Sequence, residues 1–482
     1  MQLEQPANIR HFASWPRPLV IILDIPDSLT PTEKRASIGL ASIFGLRMLG
    51  MFLILPVFAL YAPTLPGGND HFWVGMALGA YGLSQGLLQL PLGMLSDRIG
   101  RKKVIIAGLL IFALGSFIAA AGTNIYWVVF GRVIQGVGAI SAAVTALLAD
   151  LTREEHRTKA MAGIGATIGI TFAISLVLSP VLDRMIGVPG IFALTGILAL
   201  SAIWVVKSYI PDPEKSLFHA DAEANPARLK DVLRDTQLLR LNYGIFALHA
   251  AQMAMFVVVP VMLVQGAGLD VAHHWQVYLP VLLLSFVLML PAIIVGEKRD
   301  KLKPVFAGAV ALMLGAQLSL TGAQGSLWGL AAALLVYFVA FNILEASLPS
   351  LISKLAPASA KGTAMGVYNT SQSLGMFVGG AAGGWLAKYH GFPSVFIFCG
   401  VLMGAWLILA LGMKTPPAVR TRMFRVEGLT GERADWLKGE LSRLAGVREV
   451  AVLPDEGVAV LKVAKAGWDE TAAMQLMGNS GA

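Results

Sequence analysis

Residues 93–121 read GMLSDRIGRKKVIIAGLLIFALGSFIAAA. A hydrophilic turn carrying Asp97, Arg98, Arg101, Lys102 and Lys103 gives way to an apolar run, 103–121. A hydrocarbon layer about 30 Å thick is crossed by about 20 helical residues rising ~1.5 Å each. The run is therefore a membrane helix with cations at its mouth. The same test applied outward in both directions finds twelve such segments, near 36–61, 72–95, 103–121, 125–149, 158–182, 188–210, 240–266, 274–295, 304–321, 326–348, 361–387 and 391–413. Hydrophobic residues make up 56% of the 482 and charged ones 14%, against about a quarter charged in soluble domains. That balance excludes a soluble enzyme, a disordered chain and a disulfide scaffold, and continuous runs rather than ten-residue alternation exclude a β-barrel.

The formal net charge of +8 does not point to nucleic acid, because the cations sit in short clusters between apolar runs. With the N-terminus inside, the inner loops hold Arg98, Arg101, Lys102 and Lys103; Arg153, Arg157 and Lys159; Lys298, Arg299, Lys301 and Lys303; and Lys354 and Lys361. The outer loops hold only Arg184 and Lys388, so both termini are expected in the cytoplasm. The single cysteine, Cys399, lies in an apolar run, which leaves no intramolecular disulfide or cysteine-based metal cluster. No catalytic residue, metal or cofactor is expected.

The chain divides into an N-terminal extension (1–33), a six-helix half (34–210), a polar linker (211–239), a second six-helix half (240–415) and a soluble tail (420–482). The apolar stretch of the extension, ending before Asp24, is too short to span. In the linker, Leu229, Val232, Leu233 and Leu238 fall near helical spacing, which predicts a short amphipathic helix along the inner surface. Gly93-x-x-x-Asp97-Arg98 after the second helix is echoed 203 residues later by Gly296-x-x-x-Asp300-Lys301 after the eighth. Such a repeat suggests a transporter whose path lies between two related halves that rock against each other.

Gly93-Met-Leu-Ser-Asp97-Arg98-Ile-Gly100-Arg101-Lys102-Lys103 resembles motif A of the major facilitator superfamily. Gly131-Arg132-Val-Ile-Gln135-Gly136-Val-Gly138 resembles its motif B. Motif C of the drug/proton antiporter branch is weakened: Gly165 and Gly169 are present, but the expected Gly-Pro-x-x-Gly-Gly reads Ser179-Pro180-Val-Leu-Asp183. The resemblance covers about 34–415. It implies a cytoplasmic gate made by Gly93, Asp97, Arg98, Gly100 and Arg101, with Asp97 facing helix 11 of the other half and Arg101 paired with Asp150. Asp97 is suited to capping a helix N-terminus, where a carboxylate is favourable. The resemblance also associates Arg132 with proton coupling and implies the cell inner membrane.

Ionisable groups inside apolar runs cost about 2.5–3.5 kcal/mol at a helix centre on insertion scales and are candidates for function. Arg47, Arg132, His249 and Glu345 are such groups. Glu345 shares a helical face with Asn342, and a carboxyl in an apolar pocket can stay neutral until water reaches it. His249 has an intrinsic pKa near 6.5 and can change charge at physiological pH. Arg132, His249 and Glu345 are the proton-coupling candidates, the alternatives being a structural anchor for Arg132, hydrogen-bonded packing for His249 and a structural role for Glu345. Arg47, Gln85, Gln89, Gln135, Gln252, Asn342, Asn369 and Gln372 are the cavity candidates. The Gln85/Gln89, His249/Gln252 and Asn369/Gln372 spacings put each pair on one face. Arg47 could also snorkel inward, and Phe52, Phe256 and Tyr368 read as packing.

In the tail, Met423–Val426, Val447–Leu453 and Gly457–Val463 read as strands, Leu437, Leu441 and Leu444 as one helical face, and Trp468–Met477 as a short helix. The β-α-β-β order resembles the heavy-metal-associated ferredoxin-like domain, but Leu429-Thr-Gly431-Glu432-Arg433 replaces its cysteine pair, so thiolate capture of a soft metal is excluded. The tail reads as regulatory, with Arg420, Arg422, Arg425 and Arg433 available to anionic lipid and open strand edges available for self-association. The expected protein is an all-α, twelve-helix membrane transporter with a small α+β cytoplasmic domain. Its expected partners are a small-molecule substrate, protons and membrane lipids, and its expected work is proton-driven export of an amphipathic compound. A proton symporter or facilitator for a nutrient, and a transporter-like membrane sensor, are the alternatives.

Overall fold

The computed structural model describes residues 29–482 apart from 214–223, 300, 324, 358–359, 416–418, 427–428, 430, 455–456, 465–466 and 478–482. The apolar stretch before Asp24 and the repeat's Asp300 thus lie outside the described residues. Residues 29–417 and the tail are separate compact units.

Among the described residues of the larger unit, twelve long helical segments are consistent with the twelve expected spans. They are α1 (Pro31–Phe52), α2 (His71–Ile99), α3 (Arg101–Ala120), α4 (Ile125–Asp150, interrupted after Val137), α5 and α6 (the arms 154–186 and 188–208 of the helix Glu154–Ser208), α7 (Thr236–Gln265), α8 (Trp275–Lys298), α9 (Leu302–Gly322), α10 (Leu327–Leu355), α11 (Lys361–His390) and α12 (Phe392–Leu411). Among the described residues nine helical stretches are long and apolar enough to cross a membrane, with α5 and α6 taken as one. The two that fall short are α2 and α11, whose glycines and polar residues lie against each other and against α7 rather than against lipid.

The boundaries differ from the sequence reading where local chemistry intervenes. The first segment does not run unbroken to 61: α1 ends at Phe52 and a short helix, Phe58–Tyr61, resumes. Pro56 has no N–H to give, and its ring clashes with the carbonyl four residues back. Two carbonyls near the break, of Gly50 and Leu53, accept hydroxyls from Thr195 and Ser179. Freed backbone groups in a membrane need such partners. Ser179, the departure from motif C, is thereby used.

The fourth segment breaks at 138–140. A Cβ on Gly136 would stand 2.3 Å from the Tyr81 carbonyl and one on Gly138 2.3 Å from that of Gly108, so motif B lets α4 lie on the backbones of α2 and α3. Helices five and six are joined without a loop, turning at Gly187 with φ +66. The seventh starts at Thr236 on an Asp235 cap, ahead of the expected 240. The linker helix is Pro226–Arg234, with Val232 buried, Leu229 half-buried and Leu233 exposed; Leu238 belongs to α7.

The tail follows the predicted order: β1 (Val419–Arg425), α13 (Gly431–Arg443), β2 (Val447–Leu453), β3 (Val458–Ala464) and α14 (Glu470–Met477). The sheet order is β1-β3-β2 with both pairs antiparallel. Leu437 and Leu441 of α13 and Ala473 and Met477 of α14 pack with Phe424, Val450, Ala459, Leu461 and Val463. Lys462 on the central strand pairs with Glu449 at 2.8 Å.

Candidate functional site

Polar side chains on the inner faces of the two halves form separate groups. In the first half Arg47 is 1% exposed, which removes the snorkelling reading. Its guanidinium donates to Tyr81 Oη, to Gln85 Oε1 at 3.0 Å and to Ser141 Oγ at 3.4 Å, tying α1 to α2 and α4. Arg132 is fully buried and donates to the carbonyls of Ala77 and Leu78 and to Gln135 Oε1 at 2.8 Å, while Gln135 donates to Ser116 at 2.7 Å. Gln135 is thus turned into the first half rather than toward its partner, because Arg132 and Ser116 satisfy both ends of its amide. Both guanidiniums lie over the Tyr81 ring, 5.7 and 5.1 Å from its centre. Gln85 alone of this group reaches the other half, donating to Ser373 Oγ on α11 at 3.1 Å. Gln89, one turn along, is buried with Oε1 unpartnered.

In the second half His249, Gln372 and Glu345 meet from α7, α11 and α10. His249 Nδ1 lies 3.2 Å from the Ile245 carbonyl and Nε2 lies 2.7 Å from Gln372 Nε2. A neutral ring with its proton on Nδ1 satisfies both contacts, donating to Ile245 and accepting from Gln372. Glu345 Oε2 is 3.9 Å from His249 Nε2 and has no hydrogen-bond partner, and the side chain is 35% exposed. Asn342 is turned away, donating to Ser285 on α8 at 2.9 Å. Gln252 is buried and Asn369 half-buried. Above this layer Phe172 of α5 meets Phe52, Phe256, Phe338 and Phe341 with ring centres 5.0–6.3 Å apart, so the packing residues join the two halves. Tyr368 is buried with an unpartnered hydroxyl.

At the end of the bundle where α2 meets α3, Arg101 opens α3 directly after Gly100, whose φ of +104 favours glycine. Arg101 Nε is 3.3 Å from Asp150 Oδ2, and its Nη1 reaches both Ser96 Oγ, at 3.0 Å, and the Asp97 carboxylate. A Cβ on Gly93 would stand 2.8 Å from Ala142, which brings α2 close to α4. Among the described residues the expected cap by Asp97 on helix 11 is not seen. Arg101, only one turn away and already held by Ser96 and Asp150, takes that carboxylate instead. Arg98 is exposed. Glu33 adds a contact invisible at the sequence level, accepting from the backbone and guanidinium of Arg153 at 2.8–2.9 Å.

At the end of the bundle opposite Arg101, the two exceptions to the charge bias have acidic surroundings. Arg184 lines a cavity of about 450 Å³ with Asp183, Asp270 and His273, remote from the polar layer. Lys388 Nζ lies 2.7 Å from Asp70 Oδ2. Its pKa is raised above the ordinary lysine value, chiefly by that hydrogen bond.

The Major Facilitator Superfamily model matches residues 40–380. The chain is 43% identical over 435 residues to inner membrane transport protein YajR of Escherichia coli (strain K12), covering 90% of this chain and 95% of that protein. It is 28% identical over 401 residues to multidrug resistance protein 2 of Bacillus subtilis (strain 168), covering 79% and 94%. The crystal structure of a bacterial homologue of the human lysosomal transporter Spinster, inward-facing and occupied, overlays with a TM-score of 0.66 at 13% identity, covering 80% of this chain and 97% of that one, a likeness of fold alone. With the family model spanning both helical halves, the chain belongs to the major facilitator superfamily: it is a membrane transporter and not an enzyme.

Proposed function

We propose that the protein is a proton-coupled secondary transporter of the cell inner membrane that exports a small amphipathic compound by alternating access, with both termini in the cytoplasm. The observation that carries the reading is Glu345. Its Oε2 has no hydrogen-bond partner, sits 3.9 Å from His249, and belongs to a side chain that remains 35% exposed within the helical bundle. An uncompensated carboxylate in the membrane is costly, so a proton binding there changes the electrostatic balance of α10 against α7 and α11. In the proposed cycle, that change favours one orientation of the halves over the other. Arg132 and His249 hold the surrounding polar layer, and Gln85, Gln89, Gln252, Asn369 and Gln372 supply hydrogen-bonding contacts to the cargo. Arg101, Asp150 and Asp97 hold the inner ends of α2, α3 and α4 together when that mouth is shut. The name of the related inner-membrane transport protein supports the location, and that of the multidrug-resistance protein supports export from the cytoplasm.

The test is substrate-driven proton movement in liposomes, with a panel of amphipathic dyes as cargo. Glu345→Gln keeps the side-chain shape and removes its titration. It is expected to abolish accumulation against a gradient while leaving passive exchange partly intact. Accumulation that survives in the Gln variant refutes Glu345 as the coupling acid.

A further inference from the structure

We propose that Asp70 and Lys388 form the outer gate pair of the transport cycle, an ionic latch that holds the outer ends of α2 and α11 together and is released when the outer mouth opens. Asp70 belongs to the first half and Lys388 to the second. The carboxylate uses both oxygens: Oδ1 accepts from the Phe72 N–H at 3.0 Å and caps α2, and Oδ2 accepts from Lys388 Nζ at 2.7 Å. Lys388 stands in the last turn of α11, where a cation is favoured by the helix carbonyls, and its Nζ lies 4.9 Å from the centre of the Tyr389 ring. Directly below, the helices touch backbone to backbone. A Cβ on Gly384 would stand 2.3 Å from the His71 carbonyl, and one on Gly75 2.0 Å from that of Gly380. Parting the two ends by more than the lysine side chain can follow breaks the ion pair. A lysine outside runs against the charge bias that orients the chain. Its partner in the other half gives it a purpose that topology does not.

The inference rests on alternating access between the halves and is independent of proton coupling or cargo. The latch stabilises states with the outer mouth shut. Because the pair is about one-third exposed, it is expected to bias the equilibrium modestly and to weaken with salt.

The experiment measures spin-label distances between Thr123→Cys and His390→Cys, both exposed at the outer end, in full-length protein with Cys399→Ala, reconstituted in lipid. Asp70→Asn is the chosen variant because asparagine caps a helix as well as aspartate does, so charge is lost and the cap kept. Lys388→Gln is the second. Each is expected to raise the outer-open population about two- to five-fold, the double variant no further than either single. Raising salt to 1 M is expected to reproduce the shift in the parent and not in Asp70→Asn. Unchanged distances in both variants, or additive effects in the double variant, overturn the latch. A shift on Lys388→Gln that persists undiminished in the Asp70→Asn background does the same.

Discussion

The seam between α2 and α11 makes the sharpest energetic prediction. A Cβ placed on Gly380 would lie 2.4 Å from the Gly75 carbonyl oxygen and 3.0 Å from Gly79 Cα and N. These are backbone atoms and cannot rotate away. Gly380→Ala therefore forces the helices apart by about 0.8–1 Å locally, and overpacking of this kind costs about 1–3 kcal/mol. Alanine returns about 0.5–1 kcal/mol through its better helix propensity, which leaves a net cost of about 0–2.5 kcal/mol, or up to about 70-fold in population. The control is Gly404→Ala on α12, where a Cβ meets nothing within 4 Å; it is expected to be neutral or stabilising. The readouts are thermal unfolding in detergent and the spin-label distance across the outer mouth. Gly380→Ala is expected to lower the melting temperature and lengthen that distance, and Gly404→Ala to do neither. Should the two alanine variants behave alike in both measurements, close backbone contact is not what joins the halves.

At the inner end, Asp150→Asn is expected to destabilise by about 1.5–3 kcal/mol, because it weakens a charge-assisted hydrogen bond to the buried Arg101. Asp97→Asn should cost under about 1 kcal/mol, since that carboxylate is one-third exposed. Thermal unfolding that ranks them in the reverse order contradicts this account of the network. If the network gates, Asp97→Asn also lengthens label distances across the inner mouth, and unchanged distances with unchanged transport remove the gating role. Arg132→Ala removes the bonds to two α2 carbonyls and Gln135 together, and should lower the melting temperature more than Glu345→Gln does; equal melting points would make Arg132 dispensable to packing. Truncation after Pro417 should leave a folded, inserted transporter with altered flux or oligomeric state, judged in liposomes and by size in detergent, whereas failure to insert would place the boundary elsewhere.

Sequence by itself determined the class and the order of elements. Runs such as 103–121 have one physical solution in a bilayer, because only a helix satisfies its own backbone there. Period-two and helical patterns likewise marked the strands and helices of the tail. The pairing of Arg101 with Asp150 was legible only through a family pattern, as nothing local links residues 49 apart. Tertiary structure decided the partners. Asp97 was suited to a cap on another helix, yet Arg101 lies one turn away and takes the carboxylate. Gln135 belongs to Arg132 and Ser116, and Arg47 is held by Tyr81, Gln85 and Ser141 rather than by the interface. The partners of Ser179 and Glu33 and the pairing of Asp70 with Lys388 were not legible in the sequence. A side chain's spacing fixes its helix face, but which donor or acceptor meets it depends on helices brought together from distant parts of the chain. In a membrane the strongest of those meetings is set by where two backbones can touch, here along the glycines of α2 and α11.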